Sequence, residues 1–225
     1  MESILDVRPL VPKERHAGIF NTFKELAPGD SFILVNDHDP RPLLYQFQSE
    51  HRGEFEWWPL ERGPEAWRVM IVKRQTKAVE RDVTDYMQED HRRLDKILET
   101  FQKAREGGEW EKALGAFLEF DLGLRRHIQA EEEVLFPLFE EKTGMTDGGP
   151  TFVMRMEHTD IKDTLQRILT ATVAKDGEAA AGATEMLINT LTDHNMKEEH
   201  ILYPESDSFF SEAERQDFIN KAQVL

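Results

Sequence analysis

HIQAEEEVLFP, from His127 to Pro137, and HNMKEEHILYP, from His194 to Pro204, are two versions of one eleven-residue text. In both, a histidine is followed by Glu at +4 and +5, Leu at +8, an aromatic at +9 and Pro at +10. The two histidines are 67 residues apart, and so are His91 and His158, in MQEDHRRLDKIL and MRMEHTDIKDTL. Around that second pair Met87 and Met154, Leu94 and Ile161, and Leu98 and Leu165 keep register. The repeated unit is therefore a pair of helices. Its first helix carries a lone His and its second a His-x-x-x-Glu.

Helix geometry says what this spacing does. Four residues turn an α-helix by about 400°, so His and Glu at +4 sit about 40° apart on one face. The Glu at +5 points about 140° away, so Glu132 and Glu199 are expected to face elsewhere. The apolar seam of the first helix runs Met87, His91, Leu94, Leu98, Phe101. That of the second runs Phe117, Phe120, Leu124, His127, Glu131, Val134, Leu138. Met154, His158, Ile161, Leu165, Ile168 follow on the third, and Leu187, Leu191, His194, Glu198, Ile201 on the fourth. Each is a three–four alternation of the kind that faces a bundle core. The six polar residues occupy seam positions, so they point inward.

An isolated His-x-x-x-Glu is ordinarily a solvated contact, and a lone core His is ordinarily just hydrogen-bonded. Four imidazoles and two carboxylates in one core are a different matter, because each uncompensated buried charge costs several kcal/mol. Coordination to cations removes that cost. His91, His127, Glu131, His158, His194 and Glu198 are the candidate metal ligands. Imidazole and carboxylate without sulfur suit iron, manganese or zinc. One zinc would use three or four ligands and leave two unexplained. The twofold repeat instead suits two ions, with the glutamates and an oxide or hydroxide as bridges. Six-coordinate ions would then keep one open position each.

Composition narrows the setting. The chain has 225 residues, no cysteine and a net charge of −16. Without cysteine there are no disulfides, thiolate nucleophiles or thiolate-held clusters. Residues 1–77 carry 11 Lys+Arg against 12 Asp+Glu, and residues 78–225 carry 17 against 32. The shift from −1 to −15 marks two modules and disfavours nucleic acid as a partner of the second. No apolar run approaches the ~18 residues of a membrane span. The N-terminal text has no basic-then-apolar signal, so a cytoplasmic location is expected.

The predicted fold is an α+β two-domain chain. Residues 1–76 read βαβαββ, a small α/β sandwich. The text LDVRPL and SFILVNDHDP gives strands, KERHAGIFNTFKEL and RPLLYQFQSEHRG give helices, and EFEWWPLE and AWRVMIVKR give a strand pair. Residues 77–81 are a linker, within the polar text QTKAVERD. Residues 82–225 give an up-down-up-down antiparallel four-helix bundle, with helices near 82–105, 110–141, 151–174 and 178–203 and a short one near 211–223. Asp37, His38 and Asp39, with His16, read either as a second metal or substrate site or as turn and cap residues. Trp57, Trp58 and Trp67 read as core or domain-contact residues.

The motifs EDHRRL, HIQAEEEVLFP, MEHTDI and HNMKEEHILYP resemble those of hemerythrin-like, HHE cation-binding domains over residues ~82–205. The resemblance implies a non-haem di-iron centre (Fe2+/Fe3+), held by the six residues above. Lys162 stands where the oxygen-carrying hemerythrins place a second histidine on that helix. The four-His, two-Glu set is similar to that of bacterial iron-centre repair proteins. The N-terminal text LDVRPL, PKERH, VNDHDP and EAWRVMIVKR resembles small domains of unknown function often fused to HHE domains, with a fold like the TusA/SirA sulfur carriers. Those carriers use a cysteine that this chain lacks.

Three functions fit these residues. The first is a protein that binds or senses O2 or NO at the di-iron centre, with no nucleic-acid or membrane partner. A protein partner or an oligomer is then reached through the N-terminal domain. The second is a di-iron enzyme for NO reduction, peroxide handling or iron donation in iron-centre repair. The third is iron storage or a structural metal site.

Overall fold

A computed structural model describes residues 3–51, 53–74 and 81–225. Residues 75–80, which hold most of the expected linker, lie outside the described residues. Two compact units divide the chain, with Arg81 closing the first and Asp82 opening the second.

The first unit is a four-stranded sheet with two helices. Strands β1 (Ser3–Asp6), β2 (Ser31–Asn36), β3 (Phe55–Arg62) and β4 (Trp67–Lys73) alternate with helices α1 (Pro12–Glu25) and α2 (Arg41–Glu50) in the order βαβαββ. The sheet order is β1-β2-β4-β3, parallel between β1 and β2 and antiparallel elsewhere. Period-two alternation sends Phe32 and Leu34 into one core with Phe20, Phe23 and Phe47, and sends Ile33 and Val35 into a smaller cluster with Leu60. Trp57 and Trp58 are buried. The first strand sits earlier than LDVRPL suggested. It ends at Asp6, whose carboxylate accepts from the Arg8 backbone N–H at 3.0 Å and turns the chain before Pro9.

The second unit is helical. Its long helices are α3 (Val83–Glu106), α4 (Trp110–Ala130), α6 (Pro150–Val173) and α7 (Gly177–Lys197). Asp82 caps α3 by accepting from the Asp85 N–H, and Asp176 caps α7 by accepting from Ala179. Short connections at 107–109 and 174–176 fold α3 back on α4 and α6 on α7, giving the antiparallel bundle. Gly123 lets α3 and α4 approach closely, since a Cβ there would stand 2.7 Å from Leu94 Cδ2 and 2.8 Å from Arg93 Nη2 and would displace those side-chain ends.

The second and fourth helices are not continuous. Each passes through one π-helical turn, Glu131–Leu135 and Glu198–Leu202, before resuming as α5 (Phe136–Thr143) and α8 (Tyr203–Phe209). The π-turn inserts one residue per turn and so rotates everything after it. The expected seam residues Val134 and Leu138 are half-buried, while Leu135, Phe136 and Phe139 are buried. In the repeat, Ile201 is 49% exposed and Leu202 is 1% exposed. The α-helical seam therefore fails after each Glu, and the buried set moves one residue along. A final helix, α9 (Glu212–Val224), starts with a capping box between Ser211 and Glu214.

Candidate metal centre

The six candidate residues come from α3, α4, α6, α7 and the first residue of each π-turn. All six are buried. Glu131, His158, His194 and Glu198 offer ligand atoms within 4.8 Å of one another, and so do His91, His127 and Glu198. Glu198 belongs to both groups. Its Oε1 lies 2.9 Å from His194 Nε2, and its Oε2 lies 3.5 Å from His91 Nε2. Glu131 Oε2 lies 3.2 Å from His158 Nε2 and 3.8 Å from His127 Nε2.

Every one of the four imidazoles has its Nδ1 on a carboxylate. His91 meets Glu199 at 2.7 Å, His127 meets Asp90 at 3.1 Å, His158 meets Glu132 at 2.9 Å and His194 meets Glu157 at 2.8 Å. A carboxylate only accepts, so each Nδ1 carries the proton and donates it. That leaves each Nε2 turned to the centre, free to ligate, a tautomer that metal-binding histidines commonly show. The two acids that precede the lone histidines, Asp90 and Glu157, serve within their own repeat. The two at +5, Glu132 and Glu199, reach across to the other repeat.

Glu132 and Glu199 follow the helical-wheel expectation, with a role it did not include. They do point away from His127 and His194, but toward the lone histidines of neighbouring helices. The periodicity of one helix carries no information about that neighbour. Asp90 and Glu157 have a signal in the sequence, an acid just before the lone His in both repeats.

Cations brace three of these carboxylates. Lys162 donates to Glu132 at 3.1 and 3.2 Å, and Lys197 pairs with Glu157. Burial would raise the Asp90 carboxyl, but Arg126 and Arg93 at 2.6 and 2.8 Å, with His127, hold it well below the usual range. Burial likewise opposes charge on His91, yet Glu198 and Glu199 push it up to about 10. His194 is raised to about 9 against its burial, by Glu198, Glu131 and Glu157. Glu198 is lowered against its burial by His194 and His91. The pocket calls for positive charge.

Buried polar atoms make the same demand. Glu131 Oε2, both oxygens of Glu198 and His158 Nε2 have no hydrogen-bond partner. His91 Nε2 and His127 Nε2 face one another at 3.0 Å, two lone pairs with nothing but a proton or a metal to reconcile them. Such orphaned groups in a native core cost about 1–3 kcal/mol each unless something binds there. The donor set fits a pair of cations sharing Glu198. Beside it lies a cavity of about 10 Å³, bounded by His91, His127, His194 and Glu198 and walled by apolar side chains such as Phe120 and Leu124. That volume is about the space of one water-sized molecule.

Among the described residues, the groups with metal-site spacing both lie in this unit. Asp37, His38, Asp39 and His16 do not gather into a second one. Arg15 holds Asp37 at 2.8 and 2.9 Å, His38 Nδ1 lies 2.6 Å from Asp37, and Arg41 holds Asp39 at 2.6 Å. His16 packs beside Phe20. No helix of the described residues is long and apolar enough to cross a membrane.

A family model described as a hemerythrin HHE cation binding domain matches residues 82–206, and one described as an uncharacterized conserved protein (DUF2249) matches residues 4–73. The curated iron-sulfur cluster repair protein YtfE of Edwardsiella ictaluri (strain 93-146) is 37% identical over 90 residues. That stretch covers 36% of this chain and 40% of the relative, so the chain spans less than half the relative's length. No solved structure matches the chain.

Proposed function

The chain belongs to the hemerythrin HHE cation-binding family, and from that premise we propose that it is a non-haem di-iron protein that binds or senses O2 or NO. The six residues that would hold the iron are His91, His127, Glu131, His158, His194 and Glu198. The observation that carries this reading is the set of buried, unpartnered carboxylate oxygens of Glu131 and Glu198, with the unpartnered Nε2 of His158, amid the other three imidazoles. Iron is favoured over zinc because two adjacent positions of mixed imidazole and carboxylate suit a redox-active pair.

When bound, iron supplies reversible electron transfer and exchangeable coordination. The chain does the rest. Asp90, Glu132, Glu157 and Glu199 each hold an Nδ1 proton and so keep the matching Nε2 directed inward. Apolar side chains such as Phe120 and Leu124 wall the adjoining cavity, which has room for about one small molecule beside the centre.

The test is metal analysis of natively expressed protein, followed by rapid mixing of the diferrous form with O2 and with NO. Two irons per chain and a ligand-dependent visible spectrum are expected. If chelation only lowers the melting temperature and neither gas perturbs the spectrum, the site is structural or a store. A second reading, iron donation in repair of iron centres, is favoured by the likeness to a protein named for iron-sulfur cluster repair. Its mark would be transfer of iron from the loaded chain to an apo acceptor faster than to a chelator of equal affinity.

A further inference from the structure

Tyr203 breaks the symmetry of the centre. The offset of 67 residues places it over Phe136, so that Leu135-Phe136-Pro137 in one repeat becomes Leu202-Tyr203-Pro204 in the other. Other positions at the centre repeat in kind: His91 with His158, His127 with His194, Glu131 with Glu198, Glu132 with Glu199, Asp90 with Glu157. At this one an apolar ring is exchanged for a phenol.

Both rings are fully buried and both abut an imidazole. Phe136 stacks on His158 with ring centroids 5.8 Å apart and planes within 6°, and Tyr203 lies 6.0 Å from His91. A buried phenol must give its single proton to an acceptor. Tyr203 gives it to Glu131 Oε1 at 2.7 Å, and its oxygen lies 3.3 Å from His127 Nε2. Phe136 has no proton to offer Glu198.

The two carboxylates consequently differ in what remains free. Glu198 keeps both oxygens without a hydrogen-bond partner, one beside His194 and the other beside His91. Glu131 keeps only Oε2.

We propose that Tyr203 is a positioning residue that makes the two metal positions inequivalent: its hydrogen bond confines Glu131 to one-oxygen contact, while Glu198 spans both positions with its two oxygens. This rests on the di-iron reading above and deepens it. The position with His158 and His194 is the richer in carboxylate. The position with His91 and His127 depends on Glu198 and meets the cavity through both of its imidazoles, where the other position meets it through His194 alone, so a small exogenous ligand enters at the first.

The full-length chain loaded with 57Fe and oxidised to the diferric form tests this by Mössbauer spectroscopy. Wild type is expected to show two resolved quadrupole doublets of equal area. Tyr203→Phe, which removes the phenol that holds Glu131, is expected to bring the two doublets measurably closer together. Phe136→Tyr restores likeness in the opposite sense, by giving Glu198 the same donor, and is expected to do the same should Tyr203→Phe not fold. Azide titration of wild type is expected to saturate at one azide per chain. Fewer than two irons per chain in wild type overturns the di-iron reading and this proposal with it. Two irons with a single doublet in wild type, or with two doublets unchanged in both variants, overturns this proposal alone. So does a visible phenolate-to-iron charge-transfer band that Tyr203→Phe abolishes, since Tyr203 would then be a ligand and not a donor to Glu131.

Discussion

Each imidazole at the centre is held from behind. His158 is the clearest case, because Glu132 fixes its Nδ1 proton and Lys162 fixes Glu132. Removing such a carboxylate typically costs 10–100-fold in metal affinity, less than removing the ligand itself. Glu132→Ala is therefore expected to weaken iron binding about 10–100-fold, and His158→Ala to empty one position, as measured by competition with a chromophoric chelator. A Glu132→Ala protein that binds iron as tightly as wild type would show that the contact is incidental. The six inward residues were legible from seam positions alone, because a ligand must share a face with the core. Their supports were not, because Glu132 and His158 lie on different segments and a helical wheel has no neighbour in it. Tyr203 could be read only as an aromatic at +9; its hydroxyl mattered once Glu131 stood 2.7 Å away.

The helices that carry these residues owe their register to the π-turns. An uninterrupted α-helix would bury Val134, Leu138 and Ile201, whereas the extra residue buries Leu135, Phe139, Leu202 and Tyr203. Leu202→Ala is expected to destabilise the folded chain by about 2–5 kcal/mol, and Ile201→Ala by no more than about 0.5 kcal/mol. Chemical denaturation of the metal-loaded proteins reads the difference, and the reverse order would restore the simple helix. One signal was present in the sequence. Pro137 and Pro204 each fall inside text that otherwise reads as helix, where a proline has no N–H to give and crowds the carbonyl four residues back. A π-turn just upstream is one of the few ways a helix absorbs this. Most helix ends, by contrast, were legible to within a few residues, since Asp82, Asp176 and the glycines at 107, 108 and 144 supply ordinary caps and stops. The fourth helical run, expected to end near 203, continues to Phe209.

At the scale of the molecule, the acidic half of the chain is the half with the cation demand. His91 and His194 titrate near 10 and 9 when no metal is bound, above the ordinary value of 6.5. A raised folded-state value gives stability that is complete below about pH 6.5 and is lost as pH rises through the folded value. The metal-free protein is therefore expected to melt at progressively lower temperature from about pH 6.5 toward 10, and the iron-loaded protein to melt higher with much less slope. Calorimetry across that range on both forms is the measurement; parallel profiles would mean that protons do not stand in for metal at these imidazoles. The division into two units was legible because the charge balance and the hydrophobic period both change near residue 80. The loop Asp37-His38-Asp39 was ambiguous for the opposite reason. Its chemistry is decided by Arg15 and Arg41, which the local text does not weigh.

The crossed carboxylate contacts carry a last consequence. Glu132 steadies the lone imidazole of the second repeat, and Glu199 that of the first. A single two-helix half made as its own polypeptide would leave that imidazole unsupported, and could mend the deficit only by pairing with a copy of itself. If the intact chain holds two ions as proposed, the same exchange would tie them together: seating one would stiffen the segment that orients a ligand of the other. Iron uptake should then be cooperative, with half-loaded molecules scarce throughout a titration.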